Sequence, residues 1–189
     1  MRITAAASKA PLSTFLVALL VLSTLGGNVI NGYTAGQGVA TAPELVVGET
    51  LANEGFEEIR SAFKVGFASL EPDGIWMNEN DALIAFRPEG FGASLEAVFD
   101  VVPLIGGERT SLTLYSQTTG DWVVHDLAEG LNQIRVPLPS GEVQSVAFAC
   151  GELASPSELG VSSDTRALCV KFVSLELIRA GSEPEESSS

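Results

Sequence analysis

Short apolar runs bounded by turn residues recur along almost the whole stretch from residue 62 to residue 179. They fall near 62–69, 74–77, 82–87, 94–102, 110–116, 121–127, 132–138, 143–150 and 167–179, and are rich in valine, phenylalanine, leucine and isoleucine. Nothing among them keeps the apolar spacing of an amphipathic helix, so the chain has few ways to bury these residues except by stacking sheets. In Ser94–Val101, Leu95, Ala97, Phe99 and Val101 share one face while Ser94, Glu96 and Asp100 take the other. Gln133–Leu138 repeats the pattern with Ile134, Val136 and Leu138 inward. Such period-two alternation marks strands with one buried face. About nine short antiparallel strands predict an all-β fold, an antiparallel β-sandwich of jelly-roll-like form. Thr119-Gly120-Asp121 is a hairpin turn between two of the runs.

The strands occupy only part of the chain. Residues 1–27 carry Arg2 and Lys9, no acid, and the apolar run Phe15–Leu22, followed by Ser23, Thr24, Gly26 and Gly27. A basic start, a short apolar centre and small residues behind it are the pattern of a secretory signal peptide. Extended from Leu12 to Ile30, the same segment is long enough for a retained membrane anchor. Ala40-Thr41-Ala42 has a small-x-small form for cleavage, although Pro43 follows it. Either reading exports the rest of the chain to a periplasmic or other extracytoplasmic space. Residues 28–55, broken by Asn28, Gly32, Gly36, Gly38 and Pro43, read as a linker, within which 44–52 forms either a short helix or an edge strand. The domain proper is then 56–180, and the polar, acidic stretch 181–189 is a disordered tail.

Charge excludes whole classes of partner. All 24 acids lie at or after Glu44, where only eight bases accompany them, so this part carries a formal −16. Such a surface repels phosphate, which argues against nucleic acid and leaves contact with membrane to the N-terminal segment. A single histidine, His125, and two cysteines leave no metal site or cofactor site to expect. No strand alternates acids in the manner of a glycosidase, so no catalytic residue is assigned and an enzyme is not expected.

The residues 155–166 interrupt the strand rhythm. Ser155, Pro156 and Glu158 have the order of a capping box, and Gly160 supplies a stop, so one helical turn is expected there. Asp164 and Arg166 follow, placed to pin the loop over the end of the sandwich. Cys150 and Cys169 flank it, and in an oxidising compartment they are candidates for a disulfide, with two buried thiols as the other possibility.

These residues also carry a resemblance. The string Ser155-Pro156-x-Glu158-Leu159-Gly160-x-Ser162-x-Asp164-x-Arg166-x-Leu168, with Phe172, Ser174 and Leu175 beyond it, resembles the end of a β-sandwich domain appended to bacterial membrane phosphoglycerol transferases and glycosyltransferases of envelope glycans. Gly66-x-x-Ser69-x-Glu71-x-x-Gly74-x-Trp76, then Ala82-x-Ile84-x-Phe86, is similar to that domain's opening. The similarity spans about 63–178 and includes no transferase portion, and Met77–Asp81 departs from the shorter turn expected after Trp76. It implies a cell-envelope setting, with an envelope glycan or a membrane glycan-assembly protein as partner. Candidate ligand-binding residues are Trp76 and Trp122, whose ring faces suit sugars, with core or sheet-edge packing as their ordinary alternative; Trp76 is the better candidate, because Glu71, Asp73, Asn78 and Asp81 surround it as hydrogen-bonding groups. The expected function is an exported, non-catalytic module that binds or organises a glycan. The alternatives are a protein-docking domain without a sugar ligand and an acidic hydrolase.

Overall fold

The computed structural model describes residues 42–89, 94–104, 110–116, 120, 122–138 and 143–181. The signal or anchor segment, most of the linker and nearly all of the acidic tail lie outside the described residues. Among the described residues twelve strands are formed: β1 (Glu44–Leu45), β2 (Thr50–Ala52), β3 (Phe63–Val65), β4 (Phe67–Glu71), β5 (Gly74–Met77), β6 (Asp81–Pro88), β7 (Leu95–Pro103), β8 (Thr110–Ser116), β9 (Trp122–Leu127), β10 (Asn132–Leu138), β11 (Gln144–Cys150) and β12 (Val170–Arg179). A short helix, α1 (Glu54–Glu58), and one tight turn at Arg60–Ala62 join β2 to β3.

The strands form two six-stranded sheets, and the fold is the antiparallel β-sandwich that the strand rhythm predicts. The first sheet runs β1-β6-β11-β8-β9, with β3 also on β6; the second runs β10-β7-β12-β5-β4, with β2 also on β12. Only β1 departs from antiparallel pairing among these strands, lying parallel to β6.

The inward residues of each period-two pattern meet between the layers. Phe148 on β11 touches Phe99 on β7 and Phe172 on β12 edge-to-face, with centroids 5.3 and 4.9 Å apart. All three are almost fully buried, so this cluster joins one sheet to the other. From Phe172 the contact runs through Phe67 and Phe63 to Phe56 on α1, in steps of 5.4, 5.0 and 5.3 Å.

Buried residues before Phe56 extend the folded part beyond the expected boundary at 56. Residues 42–55 are folded rather than linker: Ala42, Leu45 and Leu51 are buried, and 44–52 supplies strands, not a helix. Two- and three-residue strands leave no periodicity to read, which is why the segment resembled a tether.

The run 62–69 divides into β3 and β4 at Gly66, which has φ 80°. A Cβ there would collide with the Asp81 carbonyl oxygen and lie 2.6 Å from Ala82 Cα. Glycine lets β4 leave the first sheet for the second at this crossing.

Candidate functional site

The loop 151–168 forms as its residues specify. Ser155 N–H donates to Glu158 Oε2 at 3.0 Å, and Glu158 N–H donates to Ser155 Oγ at 3.2 Å, completing the capping box around a single turn. Cys150 and Cys169 are joined by a disulfide at the base of the loop. Arg166 donates to both Asp164 oxygens and reaches across to Glu71 Oε1 at 2.7 Å. The opening and closing segments of the resemblance therefore meet in an ion pair 95 residues apart in sequence.

Trp76 stands beside this pair on the outer face of the second sheet, between the buried Ile75 and Met77. Its register partner is Lys171, whose Nζ lies 4.9 Å from the ring centroid. The same ammonium binds Glu71 Oε2 at 3.2 Å and both Asp73 oxygens at 2.8 Å. The result is one ionic ladder, Asp164–Arg166–Glu71–Lys171–Asp73, laid over an indole. Burial alone would raise the Glu71 pKa, but hydrogen bonds from Arg166 and Lys171, with their charges, hold it below its ordinary value. The Lys171 hydrogen bond lowers Asp73 in the same way, and Arg166 lowers Asp164. Arg166 is correspondingly held above its ordinary value by Asp164 and then Glu71.

Asn78 and Asp81 are not part of this ladder. Asn78 N–H donates to Gly66 O at the far end of β5, and Asn78 Oδ1 is buried with no partner among the described residues. Burial, then the neighbouring Glu79 charge, raises the Asp81 pKa. Trp122 lies on the other sheet altogether. The structure thus brings Trp76, Glu71 and Asp73 together, and leaves Asn78, Asp81 and Trp122 elsewhere.

Trp122 is the open aromatic. It begins β9, with 42% of its surface exposed, and stacks on Tyr115 of β8 at 4.7 Å and 30°. Register explains the position: Leu112 and Leu114 of β8 point into the core, so Ser111, Thr113 and Tyr115 alternate onto the outer face. Their partners Asp126, Val124 and Trp122 share that face. The resulting strip carries one aromatic pair and two hydroxyl side chains. The sequence pointed to Trp122 and not to Tyr115, whose only signal was its place across the expected Thr119–Asp121 turn, which apart from Gly120 lies outside the described residues. His125 points the other way, opposite Leu112, and partial burial lowers its pKa. Among the described residues no group of three or more His, Cys, Asp or Glu side chains is placed to hold a metal ion.

An open cleft of about 870 Å³ lies between α1 and the β4–β5 turn, lined by Ala52, Asn53, Glu54, Glu57, Leu70, Glu71 and Pro72. Its shifted carboxyl, Glu71, is displaced downward. Glycoside hydrolysis requires an acid held protonated, with a raised pKa. Among the described residues the raised carboxyl is that of Asp81, which does not line this cleft.

The fold and strip define a two-sheet antiparallel β-sandwich with an aromatic platform on its outer face. No family model matches the sequence, and no curated protein matches it. Among solved structures it is similar to a family 6 carbohydrate-binding module, at TM-score 0.41 and 10% identity over 74% of this chain and 98% of that one. It is also similar to a family 6 carbohydrate-binding module from Clostridium cellulolyticum in complex with xylose, at TM-score 0.37 and 9% identity over 70% and 98%. A family GH115 4-O-methyl-alpha-glucuronidase is matched over 59% of this chain and 16% of its own, at TM-score 0.38 and 8% identity. Likenesses this distant assign the chain neither a family nor a ligand.

Proposed function

We propose that this chain is an exported, non-catalytic β-sandwich module that binds an envelope glycan, with a sugar ring stacked on Trp122. The observation that carries the reading is the exposed indole backed by Tyr115. A ring already stacked on its neighbour loses little freedom when a pyranose covers its other face, so less of the contact energy goes into ordering it. Thr113 and Ser111 continue the strip as hydrogen-bonding groups for sugar hydroxyls. Trp76 is the poorer platform: Lys171 already lies over its ring, and Glu71 and Asp73 beside it are engaged in ion pairs. The resemblance of the 66–86 and 155–175 segments supports an envelope setting, beside glycan-assembly proteins of the membrane.

The test is titration of the purified protein with isolated envelope glycans and a panel of neutral polysaccharides. Saturable binding should fall at least about tenfold in Trp122→Ala and stay near wild type in Trp76→Ala, in proteins of unchanged circular dichroism. Absence of binding to every glycan by the folded wild-type protein overturns the reading.

A further inference from the structure

The aromatic pair is only the first of three rows on the outer face of the first sheet. Cross-strand pairing of β8 with β9 places Tyr115 beside Trp122, Thr113 beside Val124 and Ser111 beside Asp126. Successive rows are two residues apart, about 7 Å, so the strip runs about 14 Å from the first row to the third. No register shift interrupts it. A single pyranose covers the first row and leaves the other two bare.

The second row has the composition of a sugar subsite. Val124 is 63% exposed, more than Trp122 at 42% or Val123 at 49%, although valine on a strand ordinarily rests against its neighbours. Its partner Thr113 is half-buried and carries a hydroxyl on the same face. An apolar surface with one placed hydroxyl at its side suits a sugar ring, which has apolar faces and a polar rim.

The flank toward β11 leaves room for a chain. Val146, Phe148 and Cys150 belong to the core, so Ala147 and Ala149 share the outer face with the strip. They lie beside Tyr115 and Thr113. Gly151 continues the line, and a Cβ built on it would stand 3.6 Å from Ser111 Oγ. Each row is therefore bordered on this side by no more than a methyl group. On the other side, β9 is the last strand of its sheet among the described residues. The strip is a shelf along which a straight chain can lie.

We infer that the shelf binds an extended, linear glycan through about three consecutive sugars, running along β8 and β9 from Trp122 to Ser111. The inference rests on the sugar-stacking reading of Trp122 and adds two specificity-determining residues to it. The first sugar stacks on Trp122, the second covers Val124 and bonds to Thr113 Oγ1, and the third bonds to Ser111 Oγ. A tightly coiled glycan leaves the shelf after the first row.

The probe is the polysaccharide of the panel that binds the purified protein most tightly, partly hydrolysed and fractionated into mono- to hexasaccharides. Affinity is expected to rise at least about tenfold from the monosaccharide to the trisaccharide and to level off by the tetrasaccharide. Thr113→Val keeps the shape of the side chain and removes its hydroxyl, and Ser111→Ala removes the hydroxyl of the third row. Each should weaken trisaccharide binding about three- to tenfold, the net worth of one hydrogen bond, and leave monosaccharide binding unchanged. A variant that merely disturbed the fold would weaken every length alike, as Trp122→Ala should. Equal affinity for mono- and trisaccharide, a rise that continues to the hexasaccharide, or unchanged length dependence in both hydroxyl variants overturns the inference while leaving the Trp122 reading intact. Absence of binding to every polysaccharide removes that reading, and the inference with it.

Discussion

Removing the disulfide measures how much of the sandwich's stability is imposed on the unfolded chain. Cys150 and Cys169 are 19 residues apart, and closing a loop of that length lowers the entropy of the unfolded ensemble by about 11 cal/mol/K in the chain-entropy model. At 25 °C that amounts to about 3 kcal/mol. The native loop stays closed without the bridge, because Ala154 and Leu168 exchange two backbone hydrogen bonds and Ser157 N–H donates to Asp164 O. Those bonds vanish on unfolding, so they cannot substitute for the disulfide in the state where it acts. The Cys150→Ala/Cys169→Ala variant should therefore keep the native fold and lose about 3 kcal/mol in urea melts, with a melting temperature lower by roughly 10 °C. Wild-type protein melted in reductant is the control, since it loses the constraint without losing the side chains. Agreement between the two assigns the loss to loop closure. A loss below about 1 kcal/mol in both would refute the reasoning and mean that the unfolded chain already holds this loop together.

Two further perturbations probe the backbone and the ionic ladder. Gly66→Ala should cost more than about 3 kcal/mol, since a Cβ meets the backbone of Asp81 and Ala82. Gly160→Ala, with φ 70° and open space around it, should cost only about 1 kcal/mol, and chemical denaturation distinguishes the two. Acidification should weaken the protein through Glu71, Asp73 and Asp164, whose folded pKa values are lowered. Their contribution is complete above the unfolded-state carboxyl values near 4 and is lost as pH falls through the lower folded values. Asp81, raised by burial, works in the opposite sense, its penalty being relieved as it protonates. Arg166→Gln should flatten the fall in stability between about pH 5 and pH 2 while leaving the Asp81 effect, as urea midpoints across that range would show.

Local patterns determined much of this protein. Alternation in 94–101 and 133–138 became β7 and β10 with the expected inward residues, because a period of two needs only neighbouring residues to place a side chain on a face. The capping box at Ser155 and Glu158 and the pin at Asp164 and Arg166 were equally legible, being closed within a few residues. The pairing of Cys150 with Cys169 was visible as one of two open possibilities, since the loop between them was short but its closure was not encoded locally.

The tertiary structure alone decided which aromatic is open. By sequence Trp76 is the better candidate of the two tryptophans, because Glu71, Asp73, Asn78 and Asp81 surround it. Trp76 is half-buried, with Lys171 of β12 over its ring, whereas Trp122 stands exposed on β9, the last strand of its sheet. Tyr115 joins Trp122, and Glu71 joins Arg166, only once the strands have paired. Which strand lies at an edge, and which charges meet, depends on pairings distant in the chain, whereas periodicity reports only the residues next to one another.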